Sequence, residues 1–143
     1  FEIEIPEITS GIIEIKSVAR EAGSRAKVAV YSAVPNIDTV GACIGQRGAR
    51  IKNIVDELNG ERIDIVEWKP VVEEFVSAVL SPAVVSNVTI LEDGTARVLV
   101  EPSQLSLAIG KNGQNARLAA RLTGMRVDIK VIDNETLKEE ENE

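Results

Sequence analysis

Two short stretches hold the residue types that could do chemistry: IGQRGARIK at 44–52 and IGKNGQNAR at 109–117. Each carries a Gly-x-x-Gly with cations and amides around it. Gly45 and Gly48 are accompanied by Gln46, Arg47, Arg50 and Lys52, and Gly110 and Gly113 by Lys111, Asn112, Gln114, Asn115, Arg117 and Arg121. The chemistry open to them is anion binding. The first glycine ends one helix at positive φ. The second opens another, whose leading amides lack internal partners and carry the positive end of the helix dipole. With only two residues between the glycines, a phosphate can approach the backbone closely. No comparable set for catalysis is present. The chain has no histidine, so Cys43 has no base to activate it and reads as a small buried hydrophobe. Asp64 and Asp128 belong to separate strands and read as members of solvated strand faces. No metal-ligand cluster, Walker loop or nucleophile elbow occurs. The expectation is a binding protein, not an enzyme, without cofactor or metal.

A polyanionic partner conflicts at first sight with a net charge of −7. The acids are concentrated at the ends: residues 133–143 contribute −5 and Glu2, Glu4 and Glu7 a further −3, leaving the body near +1. Distribution, not the sum, decides what a face attracts. The 143 residues, 44% hydrophobic, suit one ordinary or two small folded domains. No apolar run approaches a membrane span, and the opening FEIEIPEI lacks the basic start of a signal peptide. A lone cysteine permits no intrachain disulfide.

A single Gly-x-x-Gly arises about once by chance in a chain of this size. Here both copies lie inside a larger repeat. AKVAV at 26–30 matches ARVLV at 96–100, and NGERIDI at 59–65 matches TGMRVDI at 123–129. Length differences fall where loops or helix ends absorb them. Periodicity predicts strands over 11–20 and 24–32 around EAGS, then a short helix at 38–44 with Asp38 as N-cap. Ile51, Ile54, Val55 and Leu58 form one helical stripe after Gly48. Asn59-Gly60 stops that helix before a strand at 62–68. The second unit repeats the pattern: a helix over 71–80, strands over 84–91 and 95–102, helices over 103–109 and 114–122, and a strand over 126–132. The order is α-β-β-α-α-β, and the connector Trp68-Lys69-Pro70 is too short for independent tumbling.

Gly-x-x-Gly between two short helices beside a three-stranded sheet resembles the KH domain, an RNA-binding module, in its type II form. VGACIGQRGARI, GERIDIVEW, LSLAIGKNGQNARLAARLTG and the opening EIPEITSG…EIKSVAREAGSRAKVAV resemble the tandem KH region of the bacterial NusA family of transcription elongation and termination factors, over about 4–132. Met125 stands where that family usually has tryptophan. The resemblance implies an α/β (α+β sandwich) class with two tandem type II KH domains, each a three-stranded mixed sheet packed on helices. It places the end of a preceding S1-domain linker, frayed, at 1–10. KH domains follow at 11–69 and 70–132, and an acidic disordered tail at 133–143. The S1 and polymerase-binding domains of that family are not in this sequence, so the chain is expected to be an excised, monomeric fragment of a bacterial cytoplasmic protein.

The implied function is a single-stranded RNA-binding platform for nascent transcripts, reaching RNA polymerase and other transcription factors through the full-length protein, with no membrane partner. The aromatic content leaves little room for stacking: two Phe, one Tyr and one Trp cannot build the platforms of other single-strand binders. Base contacts would fall to Val40, Ile44, Ile51, Leu105, Ile109 and Leu118, most of which read as core before groove, with Gln46, Asn112, Gln114 and Asn115 as polar partners. The competing reading is a protein-interaction adapter in which one or both loops do not hold RNA. Overall acidity and Gln46 at the first loop's tip motivate it.

Overall fold

The computed structural model describes residues 1–132; the expected acidic tail lies outside the described residues. The first unit comprises α1 (Pro6–Thr9), β1 (Glu14–Glu21), β2 (Arg25–Tyr31), α2 (Thr39–Ile44), α3 (Ala49–Glu57) and β3 (Arg62–Glu67). The second comprises α4 (Val72–Val79), β4 (Asn87–Ile90), β5 (Ala96–Val100), α5 (Leu105–Ile109), α6 (Gln114–Thr123) and β6 (Val127–Val131). Each sheet is mixed: β1 antiparallel to β2 and β2 parallel to β3, then β4 antiparallel to β5 and β5 parallel to β6. This is the expected type II order. Asp38 caps α2 as anticipated, its carboxylate accepting from the Gly41 amide at 3.0 Å. The leading helix of the first unit, which periodicity did not reveal, is the four-residue α1 with Pro6 at its start. Within the opening residues Ile5 is fully buried with Ile13, Val28, Val30, Cys43 and Ile54, whereas Ile3 is exposed.

Six of the seven β2 residues are buried because the first sheet is covered on both faces. Val28 and Val30 point into that first-unit core. From the opposite face Ala29, with Ala19 of β1 and Val66 of β3, joins Phe75, Val76, Leu80, Leu118, Ala119 and Leu122 of the second unit in one cluster. Small side chains at 19 and 29 admit α6, which packs across β1 and β2. The connector is itself packed, with the Trp68 ring 5.3 Å from Tyr31, 6.3 Å from Phe75 and 5.0 Å from the Lys16 ammonium. Met125 lies against the shared core, half-buried.

One sequence expectation is overturned. Asp64 is not on a solvated face: its carboxylate accepts from Arg25 and, at 2.9 Å, from Lys27, whose side chain is wholly buried. Lys27 also donates to the Ser81 carbonyl of the second unit at 2.8 Å. Burial, opposed by Asp64, pulls the Lys27 ammonium down to about 8. The reason is register: Lys27 and Asp64 are paired on the sheet face that the second unit covers. Asp128, at the equivalent position, is half exposed and lies 3.8 Å from the Lys130 ammonium.

Candidate nucleic-acid interface

The two glycine corners have the same backbone to within a few degrees. Gly45 has φ 81 and ψ 170, and Gly110 φ 80 and ψ 169, a region open essentially to glycine alone. A Cβ on Gly110 would lie 2.7 Å from the Asn115 amide nitrogen, and one on Gly45 would lie 2.8 Å from Arg50 Cγ. The glycine is therefore needed for close approach as well as for angle. Arg47 (φ 55) and Asn112 (φ 56) are left-handed, followed by left-handed Gly48 and Gly113. Neither α3 nor α6 has a side-chain cap or an acid in its first turn. The Ala49 and Gln114 amides donate to the Gln46 and Lys111 carbonyls of the same corners, so an oxyanion there would meet the amides that follow them, beside the cationic tips.

The sequence-selected residues separate into three groups. Gln46, Arg47, Lys52, Lys111 and Asn112 are exposed, and no side-chain hydrogen bond or ion pair among the described residues engages Arg47, Lys52 or Lys111. Arg50, Gln114, Arg117 and Arg121 are engaged by acids from earlier in the chain. Arg50 forks onto Glu7, which raises its pKa, and donates to the Ala42 carbonyl at 2.8 Å. Arg117 binds Glu21 through Nε at 2.6 Å and Nη2 at 2.8 Å, and its Nη1 donates to the Asn112 carbonyl of the loop at 3.0 Å. Gln114 donates to Ser24 Oγ at 2.7 Å and Glu21 at 3.2 Å, and Arg121 approaches Glu21 at 3.8 Å. These donors, Arg117 first, hold the Glu21 carboxyl down to about 2. The third group is Asn115 alone, fully buried, its amide donating to the Leu80 and Ala108 carbonyls at 3.0 Å each. It staples the corner from inside and is not available to a ligand.

Glu7 and Glu21 are the participants that sequence reasoning missed. They lie 43 and 96 residues from the arginines they hold, and no local pattern encodes such a pairing. Of the proposed base contacts, Val40, Ile44, Ile51 and Leu105 are half-buried and Ile109 is exposed, whereas Leu118 is core. Val40 opens onto a cavity of about 390 Å³ between Ile65–Glu67 of the edge strand and Ala83–Val85 of the second unit. Cys43 is fully buried, as expected; burial lifts its thiol to about 11.

Against known proteins, residues 1–68 match a model described as the NusA-like first KH domain, and residues 72–137 one described as the NusA-like second KH domain. The chain belongs to the NusA family. It is 55% identical over 131 residues to the transcription termination/antitermination protein NusA of Bacillus subtilis (strain 168), covering 91% of this chain and 35% of that protein. The NusA protein of Mycobacterium tuberculosis (strain ATCC 25618 / H37Rv) is 53% identical over 132 residues, covering 91% and 38%. That of Rickettsia conorii is 46% identical over 145 residues, covering 99% and 29%. The chain thus spans about a third of the length of these NusA relatives. The crystal structure of APE1850 shares the fold, with TM-score 0.64 at 23% identity over 90% of this chain and 96% of that one. No helix of the described residues is long and apolar enough to cross a membrane.

Proposed function

We propose that this chain is the single-stranded RNA-binding platform of a transcription elongation, termination and antitermination factor, and that it acts by binding rather than catalysis. The observation that carries the reading is the pair of uncapped glycine corners with Arg47, Lys52 and Lys111 open beside them. Phosphates settle on the amides, while unpaired bases enter the aliphatic grooves alongside, where their edges are free to be read. RNA polymerase and other transcription factors are reached through the rest of the full-length protein in the bacterial cytoplasm, and this fragment is a monomer.

The test replaces Gln46–Arg47 or Lys111–Asn112 by two aspartates and titrates single- against double-stranded RNA over a salt series. Each replacement is expected to weaken single-strand binding at least tenfold with the fold retained. The wild-type log–log salt slope should be shallow, at about −0.7 per cation engaged. The adapter reading draws support from Glu7 and Glu21, which occupy three of the expected cations. Unaltered RNA affinity in both replacements would favour it.

A further inference from the structure

Beside the second glycine corner lies a cavity of about 300 Å³ whose walls come from both units. The second unit lines it with Lys111, Gln114, Leu107 and Pro82, and the first with Ser24, Arg25 and Arg62. Arg62 opens the edge strand β3, and its amide donates to the Ser24 carbonyl at 3.0 Å, which fixes where the side chain starts. The Arg62 side chain is 57% exposed. Its carboxylate neighbour, Asp64, is 3.4 Å away but already holds Arg25 and Lys27. Arg25, Arg62 and Lys111 line the cavity and none of its lining residues is an acid, so it keeps a positive surplus within an acidic molecule. Its apolar side is Leu107, 48% exposed, with Pro82. Cation on one side and apolar wall on the other is what a nucleotide requires: phosphate on Arg62 and Lys111, base against Leu107 and Pro82.

We infer that Arg62, from the first unit, completes the binding site of the second unit's loop, so that one nucleotide of a single strand is held by both units at once. This deepens the RNA-binding reading and rests on it. The site is composite, since it exists only while the units keep their present orientation. An acidic peptide would value the cations but have less use for the apolar wall, so nucleic acid is the better fit.

The experiment compares the whole chain with R62Q, K111Q, the double variant and K130Q, using a short single-stranded RNA of mixed sequence. Lys130 is exposed and does not line this cavity, so K130Q controls for loss of one positive charge. R62Q is expected to lose about tenfold in affinity, the worth of one charge-assisted contact, and about 0.7 of the salt slope. The double variant should lose less than the product of the single losses, as for groups sharing one phosphate. R62Q behaving like K130Q would overturn the inference while leaving RNA binding by the loops intact. A wild-type chain without RNA affinity would end both. Displacement of RNA by polyglutamate at equal charge would also overturn it, marking an acidic-peptide site.

Discussion

At the residue scale the corner makes unequal demands on its two glycines. A side chain at Gly110 would meet the Asn115 backbone at 2.7 Å in a conformation that disfavours any Cβ, whereas the nearest atom to a Cβ at Gly113 is Arg117 Nη1 at 3.8 Å. G110A is therefore expected to cost about 2–5 kcal/mol, combining backbone strain and overpacking. G113A should cost only about 1 kcal/mol, for a left-handed alanine. Urea unfolding of the two variants checks the order, and equal losses would mean that both glycines serve only backbone angle. The motif was legible from type and spacing, because two glycines at fixed separation are local. The division of labour among its polar neighbours was not. Asn115 reads as a ligand contact in sequence, yet α5 and α4 place two carbonyls within its reach and enclose it. Whether an amide faces solvent or core depends on elements that its neighbours in sequence do not specify.

At the element scale the loop helix α6 has two attachments. Its apolar face enters the shared core, and its basic flank is tied to Glu21 at the end of β1. The flank's charges brace the units together and, through Arg117 on the Asn112 carbonyl, fix the loop. The sign of the pH dependence follows. A carboxylate depressed to about 2 in the folded chain and near 4.3 when unfolded contributes stability that is fully present above about pH 4.3. That contribution is lost as pH falls toward 2. At neutral pH, E21Q is expected to unfold at lower urea than wild type, with the gap closing between about pH 4.3 and 2. A gap that persists at pH 2 would mean the residue acts by shape alone. The helices with a cap or a long apolar stripe were readable, α2 through Asp38 and α3 through Ile54. The four-residue α1 was not, since a single turn is too short for an apolar spacing to repeat. Asp64 was misread for a related cause: alternation marks two strand faces but does not say that a second unit covers the outer one.

At the scale of the whole molecule, the repeat is clear in sequence but the joint is not. A short connector forbids free tumbling; it does not require that Ala19, Ala29 and Val66 sit in the same core as Leu118 and Leu122. Because they do, neither unit can open its side of the joint without exposing apolar surface of the other. The tandem is expected to unfold in one step, with a heat-capacity change of about 1.6–2.0 kcal/mol/K for the described residues. Trp68, the one tryptophan of the chain, lies at the joint against Tyr31 and Phe75, so its fluorescence reports the joint while far-UV circular dichroism reports both units. In the wild-type chain the two midpoints should coincide. A19D places a second carboxylate at a position 4% exposed, across from Lys27, whose ammonium already serves Asp64; one ammonium shared by two carboxylates is a penalty on the order of several kcal/mol that parting the units relieves by admitting water. The fluorescence transition should then precede the circular dichroism transition. Composite binding at Arg62 should fall with it, because a site built from two units is lost when they separate. Coincident transitions in A19D, or separate ones in the wild-type chain, would show that the shared core does not couple the units.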